Sequence, residues 1–213
     1  MNYESLIFDI DGTLWDSRAL VAEGYNLQLR AEGFDRYCVD AQRLRPLFGK
    51  VMTAIADELF PDLPPEQRYG LMERCMDREN RYLAENECRI GYEGIVDALE
   101  VLSKRHRLFI VSNSQQGYPE LCIRKLGLHK LIKAHLCFGD TGTSKGKTIR
   151  TLMERQGITS CAYIGDTQGD YEATLEAGVS FIWADYGFDT PAAWALRIHS
   201  PRDLIQLEQE GKL

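Results

Sequence analysis

The sequence predicts an α/β protein: a doubly wound, parallel-sheet (Rossmann-like) core carrying an inserted all-helical unit. Three observations lead there. Between residues 107 and 185, short apolar runs alternate with helical patterns, the rhythm of a parallel sheet covered on both faces. The stretch "LIFDIDGTLWDS" (6–17) sends an apolar strand directly into two aspartates, Asp9 and Asp11, and then into a Gly12-Thr13 break. From about Asp16 to Cys88 the rhythm stops, and only helical periodicity is found.

In chain order, "LIFD" supplies the first strand. "SRALVAEGYNLQLRAEG" is the first helical candidate of the insert. In "KVMTAIADELF", Val51, Ile55 and Leu59 share one helical face. "PPEQRYGLMERCMDRENRYLAENE" does the same with Met72, Cys75, Met76 and Leu83, and Pro64-Pro65 suit a helix start. Four of the seven prolines fall in this insert, which argues further against strands there. The sheet pattern resumes after "IVDALEVLSKRH", whose Ile95, Leu99 and Leu102 repeat at spacings of four and three. The following runs are "RLFIVSNS" (107–114), "HLCFGD" (135–140), "CAYIGD" (161–166) and "FIWAD" (181–185). The helices between them end in "KLGL", "RQGI" and "EAGV", each a glycine after the last turn followed by an apolar residue, the left-handed stop before a strand. The expected division is therefore a core of 1–15 plus 89–213 and a helical cap of 16–88.

Composition excludes several function classes. The 213 residues are 44% apolar and 27% charged, ordinary for a globular chain with a real core. The formal net charge of −7 argues against general nucleic-acid binding, which needs a basic surface. "MNYESLIFDI" has neither a basic flank nor a long apolar core, so no signal peptide is expected. No apolar run is long enough to span a membrane. Cys38, Cys75, Cys88, Cys122, Cys137 and Cys161 are scattered without a CxxC pair, and the four histidines show no zinc-type spacing. Reduced structural thiols and a cytoplasmic location are expected.

In a parallel doubly wound sheet the carboxyl ends of the strands converge on one edge, where ligands bind. Here those ends display Asp9 and Asp11, then Ser112 and Asn113, then Lys145 and Lys147 of "GTSKGKT", then Asp166 with Asp170 one helical turn on. An aspartate pair after a strand is, taken alone, a common turn or helix cap; agreement among four strand ends points to a site. Clustered carboxylates repel, and an all-oxygen ligand set favours Mg2+. A magnesium ion beside a free carboxylate and a lysine suits phosphoryl transfer, in which the carboxylate attacks phosphorus and forms an aspartyl-phosphate. Asp11 can give a proton to a leaving alkoxide and take one from water near neutral pH only if its pKa is raised, as neighbouring carboxylates would do.

"DIDGTLWDS", "VSNS", "SKGK" and "GDTQGD", in that order, resemble the four motifs of the haloacid dehalogenase-like superfamily, in particular its phosphoglycolate phosphatase-like branch, whose helical cap follows the first motif. The resemblance runs from Phe8 to about Gly187. It implies a phosphatase acting on a small phosphorylated metabolite. Asp9 would be the nucleophile and a magnesium ligand. Asp11 would be the general acid and base, its backbone carbonyl also reaching the metal. Ser112 and the Asn113 amide would hold the phosphoryl group, with backbone near Gly12 lining the pocket. Lys145 would neutralise nucleophile and phosphate, Asp166 would ligate magnesium directly, and Asp170 would stand behind it.

The branch usually has Lys-Pro at the third motif. This chain has "KGKT", which makes Lys147 a rival to Lys145, although Lys145 lies nearer the loop start. The same segment approaches a P-loop, GxxxxGK[ST], but the first glycine is replaced by Thr141. Asp11 and "GDTQGD" speak against a dehalogenase. A sugar phosphomutase shares all four motifs and stays open as an alternative to hydrolysis, with a P-loop-like NTP-binding protein a weaker one. Arg45 and Lys50, flanking "PLFG", are candidates for contact with a substrate anion or simply solvated helix-end charges. The expected partners are a small phosphorylated substrate and no nucleic acid or membrane, with the protein a monomer or weak homodimer.

Overall fold

The computed structural model describes residues 3–213; Met1 and Asn2, counted in the expected 1–15 segment, lie outside the described residues. The strands are β1 (Ser5–Phe8), β2 (Arg107–Ser112), β3 (Ile132–Cys137), β4 (Cys161–Gly165), β5 (Ser180–Ala184) and β6 (Leu196–Ile198). They form one sheet in the order β3-β2-β1-β4-β5-β6, every neighbouring pair parallel. β1 is central and fully buried, as a strand covered on both faces must be. Its alternating side chains feed two cores: Leu6 and Phe8 on one face, Ile7 on the other. Phe8 pairs in register with both Ile110 and Ile164, so Asp9 leaves the sheet level with the ends of β2 and β4.

After β1 the inserted segment carries α1 (Arg18–Ala31), α2 (Ala41–Leu44), α3 (Met52–Leu59) and α4 (Pro65–Glu85). Then come α5 (Ile95–Leu102), α6 (Tyr118–Leu126), α7 (Phe138–Thr141), α8 (Lys145–Gln156), α9 (Gln168–Ala177) and α10 (Arg202–Gln209). The first face of the sheet is covered by α5 and α6, through Ile95, Leu99, Leu121 and Cys122. Ile149 and Leu152 of α8 and Ala173 of α9 cover the second. The glycines closing α6, α8 and α9 all take positive φ, as the glycine stops in the sequence require. No described helix is long and apolar enough to cross a membrane.

The structure corrects three details of the sequence reading. The third strand runs 132–137, not 135–140, because residues 138–141 turn into a short helix. Asp140 closes that turn by accepting the Cys137 N–H at 2.9 Å. β6 is three residues long, too short to show a period. The helix α2 escapes periodicity for the same reason; its start depends on Asp40, which accepts the Arg43 N–H at 2.8 Å.

Candidate active site

β1 delivers Asp9 to the sheet edge, where its N–H donates to the Ile164 carbonyl at 2.8 Å. The chain then folds back in a tight loop. The N–H groups of Thr13, Leu14 and Trp15 all donate to the Ile10 carbonyl, and Gly12 N–H donates to the Trp15 carbonyl. Gly12 has φ +81°, and a Cβ there would stand 2.1 Å from Asp166 Oδ2. Only glycine permits both the turn and this approach.

Asp166 follows β4 and is fully buried. Its Oδ2 accepts the Phe188 N–H at 2.8 Å, while Oδ1 has no partner. Asp170, on the first turn of α9, is fully committed. Its Oδ2 accepts the Asp166 and Thr167 N–H groups and the Thr167 hydroxyl at 3.2, 3.0 and 2.7 Å. Its Oδ1 accepts from Lys145 Nζ at 2.6 Å, and the same ammonium reaches Asp9 Oδ1 at 3.1 Å. Lys145 opens α8, where a helix N-terminus disfavours a cation; two carboxylates offset that penalty.

Burial raises the Asp9 carboxyl to about 7 against the pull of Lys145, with Asp170 and Asp11 adding to the rise. Burial and the same carboxylate neighbours, Asp170 and Asp9, push Asp166 well above the usual range. Asp170 resists burial and stays low because Lys145 and the Thr167 donors stabilise its charge. For Lys145, burial works against the charge, but Asp170 and Asp9 outweigh it and hold the group protonated. Oxygens of Asp9, Asp166 and Asp170 all lie within 4.8 Å of one another. Fully ionised, the three would leave two negative charges after Lys145, which a divalent cation offsets. The orphaned Asp166 Oδ1 fits a hard cation, and Asp9 can offer its second oxygen.

Asp11 turns aside from this cluster. Its Oδ1 accepts from Ser17 Oγ at 2.6 Å, Trp15 Nε1 at 2.8 Å and Tyr118 OH at 2.9 Å. Burial raises this carboxyl to about 6, while the three donors, Ser17 foremost, oppose the rise.

Ser112 ends β2, buried, with its Oγ accepting the Ser114 N–H. Asn113 Nδ2 donates to the Gly49 carbonyl at 2.7 Å, tying β2 to the inserted helices. Asp9, Asp11, Ser112, Asn113 and Lys145 line one cavity between the sheet edge and those helices. Lys147 is exposed on α8, away from the cluster. Arg45 donates from Nε and Nη2 to the carbonyls of Phe188 and Gly187 at 3.1 and 3.3 Å, and Lys50 lines the cavity but pairs with Glu58.

Five residues around the cavity were not singled out from the sequence: Trp15, Ser17, Tyr118, Gln115 and Glu79. Trp15 and Ser17 stand within the first motif stretch and were open to notice. Tyr118 lies 101 residues beyond Ser17 and gave no local sign. Glu79 did give one: it takes the place of an apolar residue in the stripe Leu71, Cys75, Leu83, spaced by four.

A family profile described as haloacid dehalogenase-like hydrolase matches residues 6–184. The chain is 29% identical to a 5'-nucleotidase of Pseudomonas aeruginosa, covering 98% of this chain and 96% of the relative. It is 27% identical to a phosphoglycolate phosphatase of Xanthomonas campestris, covering 89% and 88%. Among solved structures, a haloacid dehalogenase-like family hydrolase of Streptococcus pneumoniae superposes with a TM-score of 0.82 at 19% identity, over 97% of this chain and 99% of that one. CbbY of Rhodobacter sphaeroides, solved in complex with xylulose 1,5-bisphosphate, superposes with a TM-score of 0.79 at 19% identity, over 93% and 95%.

Proposed function

The chain belongs to the haloacid dehalogenase-like hydrolases, and from that premise we propose that it is a magnesium-dependent phosphatase. Its substrate is a small phosphorylated metabolite, cleaved through an aspartyl-phosphate on Asp9. One observation carries this reading: Asp9 stands against a buried, protonated Lys145 and beside Asp166, whose Oδ1 has no protein partner. Residues 16–88 act as a cap over the cavity, and the protein works as a monomer or weak homodimer in the cytoplasm.

Asp9 and Asp166 would hold the magnesium, with the Asp11 carbonyl completing the protein ligands and Asp170 supporting them. When bound, the ion offsets negative charge on the phosphoryl oxygens and on the carboxylates. The chain's own residues do the rest. Ser112 and the Asn113 amide orient the phosphoryl group, and Lys145 draws charge from its oxygens. The free oxygen of Asp9 attacks phosphorus as the ester P–O bond breaks, and protonated Asp11 gives its proton to the departing alkoxide. Asp11, now a carboxylate, takes a proton from water as that water attacks phosphorus. The acyl P–O bond breaks, and inorganic phosphate and the Asp9 carboxylate are released.

The test uses para-nitrophenyl phosphate and the two aspartate variants. Wild-type protein should release phosphate only with magnesium. Asp9→Asn should lose turnover and carry no covalent phosphate. Asp11→Asn, quenched in acid, should show one phosphoryl group on the peptide containing residue 9, because that substrate's leaving group needs no proton. Activity that survives chelation, or turnover by Asp9→Asn, would sink the proposal.

A further inference from the structure

A third acid faces the cavity from the helices opposite the sheet. Glu79 is 4% exposed, and its Oε2 is buried with no hydrogen-bond partner. It lines the same cavity as Asp9, Ser112 and Lys145. Its helix packs closely against α1 at this point. Gly24 of α1 lies so close that a Cβ there would come within 2.9 Å of Glu79 Cα. A buried carboxyl oxygen without a donor is strongly unfavourable, and Tyr25 and Gln115, which favour the charge of this carboxyl, leave Oε2 unpaired. Hydrophobic residues fill the equivalent places at Leu71, Cys75 and Leu83.

The cations near the cavity are already engaged. Lys145 bonds Asp9 and Asp170, Lys50 bonds Glu58, and Arg45 bonds the Gly187 and Phe188 carbonyls. What the cavity offers a leaving group near α4 is therefore an acceptor in search of a donor. We propose that Glu79 is a specificity-determining residue: it accepts a hydrogen bond from a hydroxyl or amine of the leaving group and selects such phosphate esters over those whose leaving group bears a carboxylate.

This rests on the phosphatase reading and narrows it to polyol, sugar or nucleoside phosphates rather than phosphoglycolate. The physics is asymmetric. A hydroxyl donor satisfies the orphaned oxygen in either protonation state, whereas a leaving-group carboxylate brings no donor to it and finds no free cation to offset its own buried charge. Protonated, Glu79 could offer one donor but no charge. Burial and the nearby Asp11 raise the Glu79 carboxyl to about 8 against the opposing pull of Tyr25 and Gln115, so near neutral pH it holds its proton and this end of the cavity resists negative charge.

The experiment compares kcat/KM of the magnesium-loaded protein on para-nitrophenyl phosphate, glycerol 3-phosphate, glucose 6-phosphate, AMP and phosphoglycolate. Wild type should prefer at least one hydroxyl-bearing ester over phosphoglycolate by about a hundredfold. Glu79→Gln keeps the shape, cannot ionise and adds a permanent amide donor, and should cut that preference by about tenfold or more through a gain on phosphoglycolate. Glu79→Met removes the acceptor and should cut it through a loss on the hydroxyl-bearing ester; if it fails to fold, Glu79→Gln still decides. Phosphoglycolate cleaved as well as the best hydroxyl-bearing ester, or a preference unchanged in Glu79→Gln, would overturn the proposal while para-nitrophenyl phosphate turnover upheld the phosphatase. No turnover of any substrate would overturn both.

Discussion

Lys145 and Glu79 occupy opposite walls of one cavity and show how burial acts on a charge with and without a partner. Lys145 keeps its proton because two carboxylates lie within hydrogen-bond reach. Glu79 has no cation beside it, and burial raises its carboxyl from 4.5 to about 8. A carboxyl that holds its proton more tightly when folded contributes stability that is complete below pH 4.5 and is lost as pH rises through about 8. Glu79→Gln abolishes that titration. The stability of the variant relative to wild type should therefore climb between pH 4.5 and about 8. At about 1.36 kcal/mol for each pH unit spanned, the climb amounts to a few kcal/mol at most. Denaturant unfolding at both ends of that window checks it; a flat difference would mean that Glu79 titrates like an exposed carboxyl.

The crossing of α1 and α4 sets how deeply Glu79 enters the cavity. Gly24 is the contact point, since any side chain there meets the Glu79 backbone rather than a flexible tip. Two effects compete in Gly24→Ala. Helix propensity favours alanine by about 1 kcal/mol, while overpacking against a fixed backbone costs about 1–3 kcal/mol. Overpacking should win, so Gly24→Ala should lower Tm although the residue lies inside a helix. A higher Tm would show that the two helices have room to separate. The same logic governs the loop after β1, where Gly12 leaves no space between the turn and Asp166.

Across the whole molecule, the inserted helices are fastened to the sheet edge by a few polar contacts. Asn113 donates to the Gly49 carbonyl, Gln115 to Asn80 Oδ1 at 3.1 Å, and Arg45 to the loop after β5, where Phe48 also packs edge-on against Phe188 at 5.6 Å. Such contacts are individually worth about 0.5–1.5 kcal/mol, a scale suited to a closure that must open for substrate. Arg45→Ala should leave the global fold in place, with a stability loss of about that size, and should speed amide exchange in residues 41–50 and 187–189. Exchange unchanged in both segments would show that Arg45 does not hold the two parts together.

The sequence by itself determined the order of the longer strands and helices, the helical insert between the first two strands, and the strand-end residues Asp9, Asp11, Ser112, Asn113, Asp166 and Asp170. Those features are local: an apolar run, a glycine stop or a carboxylate after a strand is written within a few residues. Only the tertiary structure separated Lys145 from Lys147, since the two differ by half a helical turn and burial turns one inward and the other to solvent. Only the structure gave Asp11 its three donors, because Tyr118 reaches it from another helix. Arg45 and Glu79 mark the same divide. A charge at a helix end or on an apolar stripe has no assigned role until its neighbours are known, and those neighbours lie far along the chain: Phe188 for Arg45, and for Glu79 the cavity walls contributed by β1, β2 and α8.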